Sequence, residues 1–423
     1  MTEDTRQPGI GEFIEFPEEE SSETSVEAAH PAEAGMVELW RKDIGGELTR
    51  DCLCFDGRYV AAVGKDSLHY FDLEGTEVWK SKRFSGDNPI LRLSDGGKLL
   101  AAGFGRFLYL FRRNGELVSK TEVLPGVLDV GFLPDQRLAV LCSGSLLGTP
   151  WSRAVSLSID GEELSRHDIR KEILAARWLP HRQCMAAVEE DNRITLMPFD
   201  DTSEVTFQLD EEVLILDAGY SYGSDALLVQ TLGHHVLLNS GDTAPLKCKT
   251  LPGEMSSLSP DGKALVSATI GQINRSVSQW RVGQWGRSER AVQTDSWIDR
   301  IFWTDCSTGE GHSMQLQELL PQTTSDRARI PHVAIAAGPK GEFIHLLRPR
   351  GYSLIRHSEG KFAFVLAKKL PAYDGMIPSH DARYILFFKH SGTLALYAYG
   401  DPEKLRDTPL RRAYEDKERF KKI

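Results

Sequence analysis

Short runs of alternating apolar and polar residues, each interrupted by a turn signal, repeat along most of this chain. The stretch SLHYFDLEGTEVWK (67–80) has one run around Leu68 and Tyr70, a turn at Glu74–Gly75 and a second run around Trp79. Alternation with a period of two is typical of β-strands. Glycine tolerates the positive φ angles that tight turns require. The pattern therefore predicts a β-hairpin here.

The hairpin pattern returns about every 40 residues. Further copies occupy residues 106–123, 153–169, 192–209, 234–251, 276–292 and 352–369. A second strand–turn–strand element alternates with them, at 52–64, 91–103, 130–142, 176–188, 218–230, 256–268, 334–346 and 377–389. The turns at Gly75, Gly115, Gly161, Asp201 and Gly241 are 40, 46, 40 and 40 residues apart. A repeat of this length that holds four short strands is typical of a β-propeller blade.

The sequence predicts an all-β chain folded as a single β-propeller over residues 35–400. Eight four-stranded blades are expected. Seven is the alternative, because residues 295–330 fit either an insertion or a degenerate blade. Residues 37–44 match the fourth strand of a blade, whereas the last unit, 373–399, lacks a fourth strand. We expect the N-terminal strand to complete that last blade, since closing the ring removes exposed sheet edges.

The two ends of the chain differ in composition from the repeats. Residues 1–35 hold ten acidic residues and one arginine, so most of the net charge of −11 lies there. We expect residues 1–34 to form a disordered acidic tail, and residues 401–423 to form a short charged helix or tail. The nearly neutral body argues against nucleic-acid binding. No apolar run is long enough to span a membrane, and the lack of a signal-peptide pattern at residues 1–20 favours the cytoplasm.

The segment LHYFDLEGTEVW and the turns SPDGK (259–263) and SDGGK (94–98) resemble parts of quinoprotein-like (PQQ-like) and WD-repeat propellers. In that family a Gly-x-x-x-Trp pattern follows the third strand of a blade, as Gly75 and Trp79 do here. The resemblance implies a scaffold whose faces bind proteins or ligands. The Gly-His and Trp-Asp dipeptides of true WD repeats are missing at their usual places, so the resemblance extends to the architecture and not to one named family.

Residues with recognisable chemistry are few. The sequence has no dinucleotide fingerprint and no Gly-x-Ser-x-Gly elbow. Cys52 and Cys54 would share a strand face, but no second Cys/His pair accompanies them, so neither a metal nor a cofactor is predicted. Aligning the innermost strands of the blades places four charged residues at the central channel: Arg50, Asp129, Arg177 and Asp217. They would either pair with one another and with ordered water, or bind a ligand at the channel mouth.

Two function hypotheses follow from this reading. The first is a non-enzymatic protein-interaction scaffold, a WD40/PQQ-like propeller that presents loops to unidentified protein partners. The alternative is a propeller enzyme or ligand sensor with a small-molecule or metal site at the channel mouth. The fold is compatible with both, because propellers carry many functions.

Overall fold

In a computed structural model of the chain, the residues described here lie between Gly35 and Gly400. Short segments inside that range are not described: 50, 66, 83–88, 147, 170, 180–182, 200–203, 209–212, 219–226, 232–234, 240–246, 252–254, 260–262, 279–289, 307, 317–333, 339–341, 349–350 and 380–382. The tails predicted at residues 1–34 and 401–423 lie outside the described residues.

Eight four-stranded antiparallel sheets make up the described part of the chain, and each is one blade. Blade 1 consists of β2 (Leu53–Phe55), β3 (Tyr59–Val63), β4 (Ser67–Asp72) and β5 (Glu77–Lys82), and blade 2 of β6 (Ile90–Leu93), β7 (Leu99–Phe104), β8 (Phe107–Arg112) and β9 (Leu117–Glu122). Blade 3 consists of β10 (Val127–Phe132), β11 (Leu138–Leu146), β12 (Thr149–Leu157) and β13 (Glu163–Ile169). Blade 4 consists of β14 (Ile173–Leu179), β15 (Cys184–Glu189), β16 (Arg193–Pro198) and β17 (Val205–Gln208). A single turn of 3-10 helix, Asp95–Gly97, joins β6 to β7.

The second half of the wheel has the same plan. Blade 5 consists of β18 (Val213–Ala218), β19 (Leu227–Thr231), β20 (His235–Asn239) and β21 (Lys247–Leu251). Blade 6 consists of β22 (Met255–Leu258), β23 (Ala264–Ser278), β24 (Arg290–Asp305) and β25 (Gly311–Gln315). Blade 7 consists of β26 (Ala334–Ala337), β27 (Phe343–Arg348), β28 (Gly351–Ser358) and β29 (Lys361–Lys369). The prediction of a single propeller with eight blades is confirmed.

The eighth blade contains both ends of the described chain. Its first three strands are β30 (Gly375–Pro378), β31 (Tyr384–Phe388) and β32 (Thr393–Gly400), and its outermost strand is β1 (Gly35–Asp43). β1 pairs with β32 from Gly35 opposite Gly400 to Asp43 opposite Thr393. The predicted closure by the N-terminal strand is therefore confirmed.

The core lies between successive blades. The second residue of a blade's second strand is apolar and buried, as at Val60, Leu100 and Ile344, which allows the faces of two sheets to pack together. One apolar cluster joins blade 1 to blade 2, and another joins blade 8 to blade 1 through Tyr384 and Val60. A single blade cannot bury both of its faces, so stacking around an axis is what stabilises the sheets.

A glycine-to-tryptophan contact explains the Gly-x-x-x-Trp pattern. Gly75 has φ 75°, and a Cβ built there would lie 2.5 Å from Cγ of Trp40 on the preceding blade. The indole Nε1 of Trp40 donates to the carbonyl of Leu73 at 3.1 Å. Trp79 repeats the contact on Gly115 of blade 2, and its Nε1 donates to the carbonyl of Arg113 at 3.0 Å. The pattern is therefore a docking device between neighbouring blades.

The docking residue changes around the wheel. In blade 2 its position is taken by Ser119, whose Cβ lies 3.2 Å from a Cβ built on Gly161. In blade 6 the position is taken by His312, which lies 3.0 Å from a Cβ built on Gly360 of blade 7 and itself lies beside Trp303 and His357. The tryptophan disappears from the sequence pattern because smaller or different side chains occupy the same place.

Blade 6 differs from what the sequence predicts. The sequence predicts a hairpin between a third and a fourth strand at residues 276–292, but residues 276–278 and 290–292 pair as the far ends of the second and third strands, β23 and β24. Residues 290–305 and 311–315 are the third and fourth strands of this blade, so that part of 295–330 is neither an insertion nor a blade of its own. The error arose because alternation continues well beyond the blade, to Ser278 and back from Arg290. Residues 317–330 lie outside the described residues.

The wheel has two faces. We call the face that carries the strand 2–strand 3 turns and the connections between blades the upper face. The opposite face, which carries the strand 1–strand 2 and strand 3–strand 4 turns, is the lower face. Most blades end near the same level, but the second and third strands of blades 3 and 6 continue past their neighbours on the upper face.

Candidate functional site

The pairing register of the innermost strands decides which residues share a level around the channel. In β10, β14 and β18 a bulge near the start of the strand precedes Asp129, Ala175 and Ile215, so these three residues hold the same place relative to the bulge. Arg177 and Asp217 each lie two residues further along their strands than that place. Sequence alternation does not reveal bulges, so it does not set the level of each charged residue in the channel.

Two of the four predicted channel residues cannot be described at side-chain level. Arg50 lies outside the described residues. Asp217 lies on β18 opposite Leu228, but only its backbone is described. The side chains of Asp129 and Arg177 are described. Ligand binding by these four residues stays a prediction.

Asp129 is fully buried and bound from three sides. Its Oδ1 lies 2.8 Å from a guanidinium nitrogen of Arg92 and accepts from the backbone N–H of Val130 at 2.8 Å. Its Oδ2 accepts from the backbone N–H of Trp178 at 2.9 Å. The carboxylate therefore links blade 2, blade 3 and blade 4. A buried carboxylate with charge-assisted partners on both oxygens is held in one position.

Arg92 is the functional neighbour that the sequence analysis missed. Its side chain is 14% exposed, and it also donates to the carbonyl of Leu91 at 3.0 Å. A signal was available, because Arg92 is the one charged residue in the apolar inner strand ILRL, one blade before Asp129. Trp178 contributes as well, since its ring fills the space above Gly131, where a Cβ would lie 2.0 Å from the indole.

Arg177 reaches across the wheel. Its guanidinium nitrogen lies 3.4 Å from Oδ1 of Asp51, which precedes the inner strand of blade 1, whereas Arg177 belongs to blade 4. Blades 1 and 4 are not neighbours, so this ion pair spans the central channel. The Arg177 side chain is 21% exposed and that of Asp51 is 53% exposed. A half-exposed pair at this distance contributes little to stability, about 0–1 kcal/mol.

Cys54 on β2 and Cys142 on β11 are structural in character. Burial raises the pKa of the Cys54 thiol to about 11, against a small opposing effect of the Arg92 charge. Burial likewise raises the pKa of Cys142 to about 12. A thiol that stays protonated is a poor nucleophile and a poor metal ligand. The five cysteines in the described part of the chain are free thiols.

The described residues form neither a cluster of metal ligands nor a membrane-spanning helix. No group of three or more His, Cys, Asp or Glu side chains in the described segments is placed to hold a metal ion. Among the same residues, no helix has the length and apolar character needed to cross a membrane.

The upper face carries the most conspicuous departures from regular blades. In blade 3, β11 and β12 pair for four residues beyond the inner strand, from Ser143 opposite Ser152 to Leu146 opposite Thr149. Trp151 lies in this extension with the Arg153 guanidinium over its ring at 4.3 Å. Leu124 and Leu174, which flank the base of the hairpin, are 36% and 53% exposed.

Comparisons with solved structures agree with the architecture. BamB from Moraxella catarrhalis matches with a TM-score of 0.52 at 11% identity, covering 86% of this chain and 98% of that one. The Dos1 propeller matches with a TM-score of 0.55 at 12% identity, covering 86% and 95%. The chain is a β-propeller. At such identities the likeness shows the fold alone. No protein-family model and no curated protein matches the propeller's sequence.

Proposed function

We propose that this propeller is a non-enzymatic protein-interaction scaffold whose upper face receives its partners. The observation that carries the proposal is the pair of hairpins, in blades 3 and 6, that extend beyond the four-stranded sheets on one face. Closed wheels of stacked blades are rigid, and binding elements on loops above a rigid scaffold are a recurring arrangement in proteins. Exposed Leu124 and Leu174 add apolar surface beside the blade 3 hairpin.

The proposal includes a cytoplasmic location. Its support is that the five described cysteines, among them Cys52 and Cys54, are thiols, as is usual in reducing compartments.

The test is to remove one hairpin extension at a time. Gly271 and Trp297 are directly paired in blade 6, so an Asn-Gly turn can replace residues 272–296. Gly144 and Trp151 are directly paired in blade 3, so the same turn can replace residues 145–150. Each truncation serves as the control for the other. Tagged full chains would be purified from native cells, and their bound proteins quantified by mass spectrometry.

We expect at least one bound protein to be lost with one truncation and retained with the other, while the thermal midpoint of the propeller stays unchanged. A differential loss assigns the partner to a hairpin and excludes general unfolding. An identical set of bound proteins for the intact chain and both truncations would overturn the proposal.

A second candidate is a small-ligand or metal site at the channel mouth, made by Arg50, Asp129, Arg177 and Asp217. The observation that favours it is the Arg177–Asp51 pair, whose charged groups span the channel and remain partly exposed. The test is a thermal-shift screen with inorganic phosphate and divalent metals on the intact chain and on Arg177→Met. A stabilising shift that disappears in Arg177→Met supports this candidate, and no shift with any probe opposes it.

A further inference from the structure

The extension of blade 6 is a two-stranded ribbon with two long edges. Residues 270–278 of β23 pair with residues 290–298 of β24, nine pairs in succession. Lower in the blade, the inner strand β22 pairs only with Leu265–Ala268, and the outer strand β25 pairs only with Arg300–Thr304. No strand in the described part of the chain therefore pairs with either edge of the ribbon. At about 3.3 Å per residue, each edge is roughly 30 Å long.

The chain protects its outermost strands from pairing with other chains. Six of the eight outermost strands in the described sheets contain at least two charged residues; an example is β29, with three lysines in KFAFVLAKK. The two outermost strands without charge, VTFQ and GHSMQ, are only four and five residues long. Charge and shortness are the devices by which natural sheets avoid pairing with other chains.

The channel-side edge of the ribbon has less of this protection. It has the sequence IGQINRSVS, with one charged residue, Arg275, and neither lysine nor proline in nine positions. Its partner strand has two charged residues, Arg290 and Asp295, in the same length. A long, nearly uncharged edge is a template for an additional strand. Compared with the eight outermost strands, this edge is longer than the two uncharged ones and carries less charge than the other six.

The direction of this edge follows from the strand order. In blade 6 the order β22–β23–β24–β25 runs from the channel outward, so the edge of residues 270–278 is on the channel side of the ribbon. It stands above the upper face, the same face on which Leu124 and Leu174 are exposed. A second copy of the wheel would have to bring its whole body over this face to reach the edge, whereas a single extended segment needs only the width of one strand, about 4.8 Å.

We propose that residues 270–278 bind an extended, uncharged peptide segment of a protein partner, which adds to the ribbon as a third strand above the upper face. Backbone hydrogen bonds to the edge supply the affinity, and the exposed leucines of the upper face contact the flanking residues of the segment. This inference rests on the proposed scaffold function and specifies how one partner is held.

The test places lysines on one edge and, as a matched control, on the other. Gln272→Lys with Asn274→Lys protects the channel-side edge. Thr294→Lys with Ser296→Lys adds the same charge at the residues directly opposite, on the outward strand. Each variant would be made in the full chain, and retention of the proteins that depend on residues 272–296 would be quantified. Amide hydrogen exchange of the purified complex would be measured for both strands.

We expect the channel-side pair to reduce retention at least about tenfold, and the outward pair to change it by less than about twofold. Amides of residues 270–278 should gain protection in the complex while those of 290–298 do not. Equal effects of the two lysine pairs, or no added protection at 270–278, would overturn strand addition and leave the scaffold function standing. If the amides of residues 270–278 gain protection when the chain dimerises without a partner protein, the added strand comes from a second copy, and the proposal is also overturned. If no bound protein depends on either hairpin extension, the scaffold proposal itself fails.

Discussion

Replacing Asp129 with alanine should destabilise the propeller more than any other single change at the channel. The substitution removes the acceptor for the N–H groups of Val130 and Trp178 and the counter-charge of Arg92, whose side chain is only 14% exposed. Breaking a buried ion pair from one side costs about 3–5 kcal/mol. The unsatisfied N–H of Trp178 adds about 1–3 kcal/mol. We expect a loss of about 5 kcal/mol in the free energy of unfolding.

The assay is equilibrium unfolding in urea followed by tryptophan fluorescence, within a double-mutant cycle. Arg92→Met keeps most of the side-chain stem and removes the charge. The double variant should be about 2–3 kcal/mol more stable than the sum of the single losses predicts, since the two residues interact directly. Asp135→Ala in the same blade is the control, because its ion pair with Arg137 is exposed and worth about 0–1 kcal/mol.

The outcome that refutes this reasoning is specific. If Asp129→Ala costs no more than Asp135→Ala, the buried carboxylate does not hold blades 2, 3 and 4 together. If the two single losses simply add, the hydrogen bonds to backbone N–H groups carry the effect, and the Arg92 charge does not.

Three further predictions use the same unfolding assay. Burial raises the pKa of Asp56, whose Oδ2 is buried without a hydrogen-bond partner, so the charged form of Asp56 disfavours the folded state, and this penalty grows as pH rises through the folded pKa. The Asp56→Asn variant should therefore be more stable than the intact chain at pH 7 and no more stable at pH 3. Equal stability of the two proteins at pH 7 would contradict this. Burial lowers the pKa of His345 to about 3, so the folded state resists protonation of this histidine and loses stability as pH falls from the ordinary histidine range toward 3, by up to about 1.4 kcal/mol per pH unit. In the His345→Leu variant, the free energy of unfolding should fall less steeply with decreasing pH. The same variant should be less stable at pH 7, because it loses the hydrogen bond to Tyr352. The Gly115→Ala variant should lose about 3 kcal/mol of unfolding free energy, because backbone strain at φ 86° adds to the clash of a Cβ placed 2.7 Å from Trp79. The Gly105→Ala variant should lose about 1 kcal/mol, because Gly105 has φ 54° and open space around it. Equal losses would show that the contact with Trp79 does not determine the cost.

The repeat pattern was enough to predict the architecture. Each blade is specified by local signals, alternation and turn glycines, and their spacing from Gly75 to Gly161 sets the period. The closure was also predictable, because residues 37–44 have the composition of a missing fourth strand. In blade 6 local alternation misled the prediction, since a strand of fifteen residues looks like two ordinary strands joined by a turn.

The channel was less predictable because its geometry depends on register. A bulge in the inner strand, such as the one between Val127 and Asp129, moves every later residue by one position, and sequence periodicity does not locate bulges. The contact between Arg177 and Asp51 joins residues 126 positions apart in the chain, and only closure of the ring brings them together. The same limit applies to Arg92, whose carboxylate partner lies one blade away.

The properties specific to this propeller come from the residues that depart from the blade repeat. Features common to all blades allow the blades to stack. A residue that departs from the repeat therefore either preserves the packing between blades with a different side chain, or has a role other than stacking. His312 in the place of tryptophan belongs to the first kind, because it docks on Gly360 as Trp79 docks on Gly115. The ribbon of residues 270–278 and 290–298 belongs to the second kind, because the four-stranded blade is already complete below it. A long edge with one charge, in a chain that protects its outermost strands, is therefore the feature on which partner binding should first be tested.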